Sequence, residues 1–323
     1  MKSLLLYLND SNFKSKIDYY DEKLKSVFGF SMIKKCLEEE DDIALRRNQH
    51  FTHGMLFIYQ VSLYFYFIEK TKRVPDIIFG VSCGEMAAAF CSELISFETA
   101  CYILYNRSCL LSKTISFNGA SIATRLNEKQ FLEEYLPQFP DLQIIAYISG
   151  RSSIIGGKNS EILKFKKQLE DKNIQCMIVN EGACFHTKHI SMIKDDILQL
   201  EFEHKKPITK VMSNVNLKFF NDTDNKYDKY HLYENLTNPC RLLQTYQEIF
   251  KYAEDNNYTN VIINELSPKS FVSGTFIKED IVPTTSFKYL SNASIHVIPT
   301  NNITDMETIH NNINNLIYLS DNL

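Results

Sequence analysis

The apolar residues of this chain change period along its length. Ser3 to Leu8 is an almost unbroken apolar run that Asn9 and Asp10 end, and it reads as a first buried strand. Apolar spacing predicts helices over 27–40 and 54–70. Asp76-Ile77-Ile78-Phe79 is a short apolar strand that stops at Gly80, and an alanine-rich helix follows from Glu85 to Leu94. Ser96 supplies the cap for another helix that runs to about Lys113. Strand and helix alternate here as they do when a parallel sheet is covered by helices.

The middle of the chain has a different order. Ala120 to Leu126 reads as a strand, and Asn127 with Gln130 forms a capping box that opens a helix. Leu142 to Ser149 and Ser152 to Ile155 read as two strands around a Gly150-Arg151 turn. A helix over Ser160 to Lys172 and a strand over Gln175 to Val179 complete a βαββαβ order, that of the ferredoxin-like unit. Strands are expected again near 210–215 and 260–265. The expected fold is α/β. A large α/β-hydrolase-like subdomain with a parallel sheet takes residues 1–118 and 184–323, and a ferredoxin-like small subdomain is inserted at 119–183.

Composition narrows the function classes. The chain has 323 residues, 44% hydrophobic and 23% charged, which is globular composition with ample core material. A net charge of −4 gives no bulk attraction to nucleic acid. The most apolar stretch, Met55 to Ile68, carries Tyr59, Gln60, Ser62, Tyr64 and Tyr66 and is too short and polar to span a bilayer, so no membrane role is expected. Eight cysteines form no CxxC pair, which disfavours metal and redox motifs, and several sit inside apolar helical stretches, which fits a reduced, cytoplasmic setting. The Asp/Asn-rich stretch from Phe220 to Tyr230 lacks the glycine and glutamate of a calcium loop.

Gly80-Val81-Ser82-Cys83-Gly84-Glu85 lies between a strand and a helix, the setting of a GxSxG nucleophile elbow. Such a turn would push the Ser82 hydroxyl outward and aim the N–H of Cys83 at a reacting oxygen. A serine nucleophile needs a base. His186 and His189 stand out in Cys184-Phe185-His186-Thr187-Lys188-His189, but spacing alone does not choose between them, and no third residue completes a metal site.

The chain resembles the malonyl-CoA:acyl-carrier-protein transacylase family and the acyltransferase domains of polyketide synthases. Gly80 to Glu85 resembles the family's GHSxGE block and Cys184-Phe185-His186-Thr187 its AFHS block. Asn106-Arg107-Ser108, the strand Ser152 to Gly157, Glu234-Asn235-Leu236-Thr237-Asn238-Pro239 and Glu265-Leu266-Ser267-Pro268 resemble four further blocks in order. The resemblance implies Ser82 as nucleophile, His186 as base, and Asn235 or a neighbouring carbonyl orienting that base. It implies Arg107 gripping a substrate carboxylate, Phe185 favouring a small malonyl unit, and His53 at the position of a substrate-pocket glutamine. The family's glycine-rich loop after its first strand is replaced by Leu8 to Phe13, with Asp10 near the place of an oxyanion-hole glutamine. Val81 stands for the histidine before the nucleophile.

The implied activity is transfer of a malonyl or related short dicarboxylic acyl group from coenzyme A to an acyl carrier protein through a seryl enzyme. No bound cofactor is implied beyond the coenzyme A thioester and the carrier's phosphopantetheine arm. The departures from the family pattern suggest a free-standing, trans-acting polyketide-pathway enzyme rather than a housekeeping fatty-acid one. Two alternatives use the same fold: a hydrolase that clears stalled acyl carriers, and a carrier-binding module without turnover.

Overall fold

A computed structural model describes residues 10–39, 42–258, 260–266, 294–298, 311 and 313–315. The strand expected at 3–8, and Ser267 and Pro268 of the last family-like block, lie outside the described residues.

The large layer is built around one long helix. Helix α1 (Ser11–Phe28) is capped by Asp10 and ends at Gly29, whose φ of 79° suits a residue without Cβ. Gly29 cuts the single helix expected over 27–40, so only α2 (Met32–Glu38) forms there. The buried Asp21 of α1 accepts from the N–H of Met32 at 2.7 Å and so caps α2 from outside. After α3 (Asp42–Arg47), helix α4 (Gln49–Thr71) runs through the core, buried on nearly all sides. It starts five residues before its apolar run, because Asn48 accepts from Phe51 N–H and closes the first turn. No helix among the described residues is long and apolar enough to cross a membrane.

Strand β1 (Ile77–Phe79) delivers the chain to the elbow, and α5 (Gly84–Cys91) and α6 (Phe97–Lys113) follow. Ser96 caps α6 by accepting from Thr99 N–H. Both helices pack on α4 through a cluster of Phe57, Phe65, Phe90 and Phe97, with Tyr20 of α1 stacked against it. Strand β6 (Lys210–Met212) pairs parallel with β1 in the register Ile77↔Lys210, Phe79↔Met212.

The inserted unit holds β2 (Gly119–Thr124), α7 (Glu128–Gln130, capped by the Asn127/Gln130 box), β3 (Gln143–Ser149), β4 (Ser152–Lys158), α8 (Asn159–Asp171) and β5 (Cys176–Gly182). A π turn, Phe131–Tyr135, continues α7. The strands lie in the order β5-β2-β4-β3, all neighbours antiparallel, which is the ferredoxin-like arrangement. Phe131, Tyr135, Phe165 and Leu169 form its separate core. Beyond it come α9 (Lys194–Ile197), α10 (Lys229–Thr237), β7 (Cys240–Arg241), α11 (Leu242–Asp255) and the parallel pair β8 (Asn260–Asn264) and β9 (Ser294–Ile298). Strand β7 joins the small sheet parallel to β3 through Ala146↔Cys240 and Tyr147↔Arg241.

Candidate active site

The turn between β1 and α5 is tight enough to exclude a side chain at Gly80. A Cβ there would lie 2.2 Å from the carbonyl carbon of Gly84 and 2.3 Å from the nitrogen of Glu85. Gly84 N–H donates to Val81 O at 3.0 Å, and Glu85 N–H to Ser82 O at 3.2 Å. Ser82 is held at a φ of 55°, in the left-handed region that costs a non-glycine residue about 1–3 kcal/mol. Cys83 follows as the N-cap of α5, so its N–H sits at the positive end of that helix.

His186 meets this elbow. Ser82 Oγ and His186 Nε2 are 2.8 Å apart, and His186 Nδ1 lies 3.1 Å from the carbonyl oxygen of Asn238. A carbonyl can only accept, so Nδ1 carries the hydrogen and Nε2 offers its lone pair to the serine hydroxyl. His186 also has a positive φ, 61°, and its N–H donates to Leu236 O at 2.8 Å. Burial first, then the charge of Arg107, hold its pKa down to about 4 against the opposing backbone carbonyls of Asn238 and Asn235. The buried Cys240 thiol lies 3.6 Å from His186 Nε2, and burial pushes that thiol up to about 12.

The side chain of Asn235 does something other than orient the histidine. Its Oδ1 accepts from Arg107 Nη1 at 2.7 Å and its Nδ2 donates to Glu85 Oε1 at 3.2 Å. The orienting group for His186 is the Asn238 carbonyl three residues on. Arg107 is 4% exposed, and its Nε is buried with no partner among the described residues. The same guanidinium acts on Cys83, whose thiol burial raises and Arg107 lowers. His53 is buried on α4 with Nδ1 unpartnered among the described residues. Burial first, then the charges of Arg107 and His50, push it down to about 3, so it is a neutral group near Arg107. Phe185 is partly buried and packs on the main core beside His186.

Asp10 is engaged elsewhere. One oxygen accepts from Phe13 N–H at 2.8 Å as the cap of α1, and the other accepts from Tyr66 Oη at 3.1 Å. A carboxylate accepts rather than donates, and this one is engaged by a helix end and a tyrosine, so the Asp10 side chain supplies no donor to an oxyanion. His189 stacks on Phe117 at 4.0 Å between centroids, apart from the Ser82–His186 pair. Among the described residues no group of three or more His, Cys, Asp or Glu side chains could hold a metal.

Sequence reasoning missed Glu85 and His231 as parts of this neighbourhood. Their signal was present: His231 and Asn235 are spaced i, i+4 on α10, so they share one face, and Glu85 opens the helix behind the elbow.

Sequence and fold both have known counterparts. The sequence profile of the family described as "Acyl transferase domain" matches residues 3–278. "Probable polyketide synthase 26" of Dictyostelium discoideum is 31% identical over 99% of this chain, and "Probable polyketide synthase 23" of the same organism is 33% identical over 91%. The chain spans 12% of the length of each of these relatives. Among solved structures, a loading acyltransferase from the avermectin modular polyketide synthase superposes with a TM-score of 0.80 at 15% identity, covering 96% of this chain and 94% of that one. The malonyl CoA-acyl carrier protein transacylase of Coxiella burnetii gives 0.72 at 17% identity, over 94% and 90% of the two chains. Those two likenesses carry the fold, while the profile match over residues 3–278 carries the kinship: this chain belongs to the acyl transferase domain family.

Proposed function

We propose that this domain moves a malonyl or related short dicarboxylic acyl group from coenzyme A to the phosphopantetheine thiol of an acyl carrier protein, with Ser82 as the acyl carrier in between, in polyketide biosynthesis. The observation that carries the reading is the 2.8 Å contact between Ser82 Oγ and His186 Nε2 at the N-terminus of α5. In the first half, Ser82 Oγ attacks the thioester carbonyl as His186 Nε2 takes its proton. The new oxyanion faces the N–H of Cys83. The C–S bond then breaks, and the proton on His186 passes to the departing coenzyme A sulfur. In the second half the carrier's thiol gives its proton to His186 and attacks the seryl ester, and Ser82 recovers the proton as its bond to the acyl carbon breaks. His186 with a pKa of about 4 is unprotonated at neutral pH, ready for either half.

Arg107 supports the dicarboxylic preference. Asn235 holds one of its nitrogens, and its buried Nε offers a donor that a substrate carboxylate would complete. His53 and Phe185 would line the acyl pocket near it.

The test is intact-protein mass spectrometry after brief exposure to malonyl-CoA and acetyl-CoA. The wild type should gain a malonyl mass and Ser82→Ala none. A malonyl adduct of wild-type yield on Ser82→Ala would remove the nucleophile assignment. Arg107→Ala should lose malonyl loading by ~2–5 kcal/mol of transition-state stabilisation while acetyl loading changes little. Equal loss with both thioesters would make Arg107 structural. An adduct that water removes faster than a carrier protein does would turn the reading to a hydrolase.

A further inference from the structure

Behind the elbow lies a buried polar chain that the acyl-transfer steps do not use. Glu85 is 1% exposed. Its Oε1 accepts from His231 Nε2 at 2.7 Å and from Asn235 Nδ2 at 3.2 Å, while its Oε2 is buried without a partner among the described residues. Asn235 passes the contact on to Arg107 through Oδ1. The order is therefore His231, Glu85, Asn235, Arg107, contributed by α10, α5, α10 and α6.

The orientation of the Asn235 amide follows from this order. A carboxylate accepts only and a guanidinium donates only, so the NH2 of Asn235 must face Glu85 and its oxygen must face Arg107. The charges matter as much. With His231 neutral, the Glu85 carboxylate would have Arg107 as its opposing charge in the cluster, and the positive field offered to an anionic substrate would be largely cancelled. With His231 protonated, Glu85 is matched at 2.7 Å and the charge of Arg107 is left over.

The charges around the ring draw it towards the protonated form, against the cost that its Nδ1 is buried without a partner among the described residues. Phe220 meets the ring edge-on at 4.6 Å between centroids and Tyr227 lies tilted at 5.6 Å. The groups facing it are Glu85 from α5, Glu234 and Asp228 from its own helix and cap, and the Tyr227 hydroxyl. The Cys240 thiol faces Glu85, and Arg107 reaches it only through Asn235. Burial pushes the His231 pKa down. The charge and hydrogen bond of Glu85, with Glu234 and Asp228 beyond, outweigh it, and the net shift is upward.

We propose that His231 is a positioning residue that holds a positive charge against Glu85, thereby fixing the Asn235 amide and leaving the charge and Nε edge of Arg107 for the carboxylate of the acyl group. The proposal rests on the reading of Arg107 as the carboxylate grip.

The experiment uses the whole chain. His231→Gln keeps a donor near Nε2 and removes the charge. It should lower the ratio of malonyl to acetyl loading of Ser82 about tenfold, which is about 1.4 kcal/mol, and Glu85→Gln in the same chain should restore the ratio. In parallel, NMR of isotope-labelled histidines should show His231 protonated at pH 7 in the wild type and neutral in Glu85→Gln. A neutral His231 in the wild type overturns the proposal even if His231→Gln fails to fold. So does His231→Gln lowering malonyl and acetyl loading by one common factor, which a purely structural role would give. A wild type that loads acetyl as fast as malonyl defeats the Arg107 reading and the specificity half of this proposal together. A protonated His231 in that case would show that the fault lay with Arg107 and not with the charge pair.

Discussion

Acidification should weaken this fold along a slope to which two site histidines contribute a calculable part. His53 and His186 are 6% and 8% exposed, and their pKa values fall from 6.5 to about 3 and about 4. In the unfolded chain both take up a proton below pH 6.5, whereas in the fold both stay neutral. The unfolded state therefore binds more protons, and stability falls as pH falls. Each histidine costs about 1.4 kcal/mol per pH unit between its unfolded and folded values, so the pair costs about 2.7 kcal/mol per unit until His186 itself titrates. Against a typical domain stability of about 5–15 kcal/mol, two pH units become a large fraction of the total. His231 acts with the opposite sign. Its raised pKa adds stability that is complete below pH 6.5 and declines as pH rises through its folded value, so it does not alter the acid slope. Carboxylates also titrate in this range, which is why the informative quantity is a difference between variants. His53→Gln cannot take a proton. Urea unfolding followed by circular dichroism at pH 6.0 and 5.0 should show the stability gap between wild type and His53→Gln shifting by about 1.2 kcal/mol in favour of the variant at the lower pH. A gap that does not move with pH would refute the claim that His53 is buried neutral.

Two further outcomes test the frame of the site. Gly80→Ala places a methyl group 2.2 Å from backbone that cannot yield, so α5 must shift. Acyl-enzyme formation should collapse, with a lower thermal midpoint, and wild-type loading rates would refute the tight elbow. Asp10→Ala removes a helix cap and the Tyr66 contact, so it should cost about 1–2 kcal/mol in urea unfolding while the loading rate stays within about twofold of wild type. A large rate loss at unchanged stability would return Asp10 to the reacting centre.

What could be read in the sequence was what depends on neighbours in the chain. Ser96 and the Asn127/Gln130 box announce helix starts through side chains that reach only three residues. The βαββαβ order of the inserted unit is likewise a matter of succession, and its strands lie in the ferredoxin-like order. Helix α1 escaped notice because its buried positions, Phe13, Ile17, Asp21 and Leu24, include a carboxylate and are outnumbered by lysines, tyrosines and acids. Its end at Gly29 depends on a left-handed φ that a run of apolar letters does not display. At the site, Ser82 was legible from Gly80 and Gly84, since a strand-to-helix turn demands small residues. His186 needed the family resemblance, because a single histidine has no spacing of its own. For Asn235 the sequence left open its side chain or a neighbouring carbonyl as the group that orients the histidine; the carbonyl of Asn238 does so, and only three-dimensional proximity sets Arg107 and Glu85 on either side of the Asn235 amide. Asp10 was assigned by counting from a missing loop, and counting cannot reveal that a helix begins one residue later.

The mounting of the base has a consequence for grafting. Ser82 hangs from β1 in the large layer, whereas His186 follows four residues after β5, and the Asn238 carbonyl that sets its tautomer sits two residues before β7, the strand stitched to β3. The proposed nucleophile and base thus belong to different building blocks, and His186 is clamped from both flanks by the inserted one. A chimaera that exchanges residues 119–182 with a relative would keep its serine and still stand or fall on one seam. If the pairing Ala146↔Cys240 slips by a residue, β7 turns over, the Asn238 carbonyl leaves Nδ1, and an intact nucleophile faces an imidazole in the wrong tautomer. Recombination between acyl transferase domains should therefore be planned with the 238–241 segment carried along with the inserted unit.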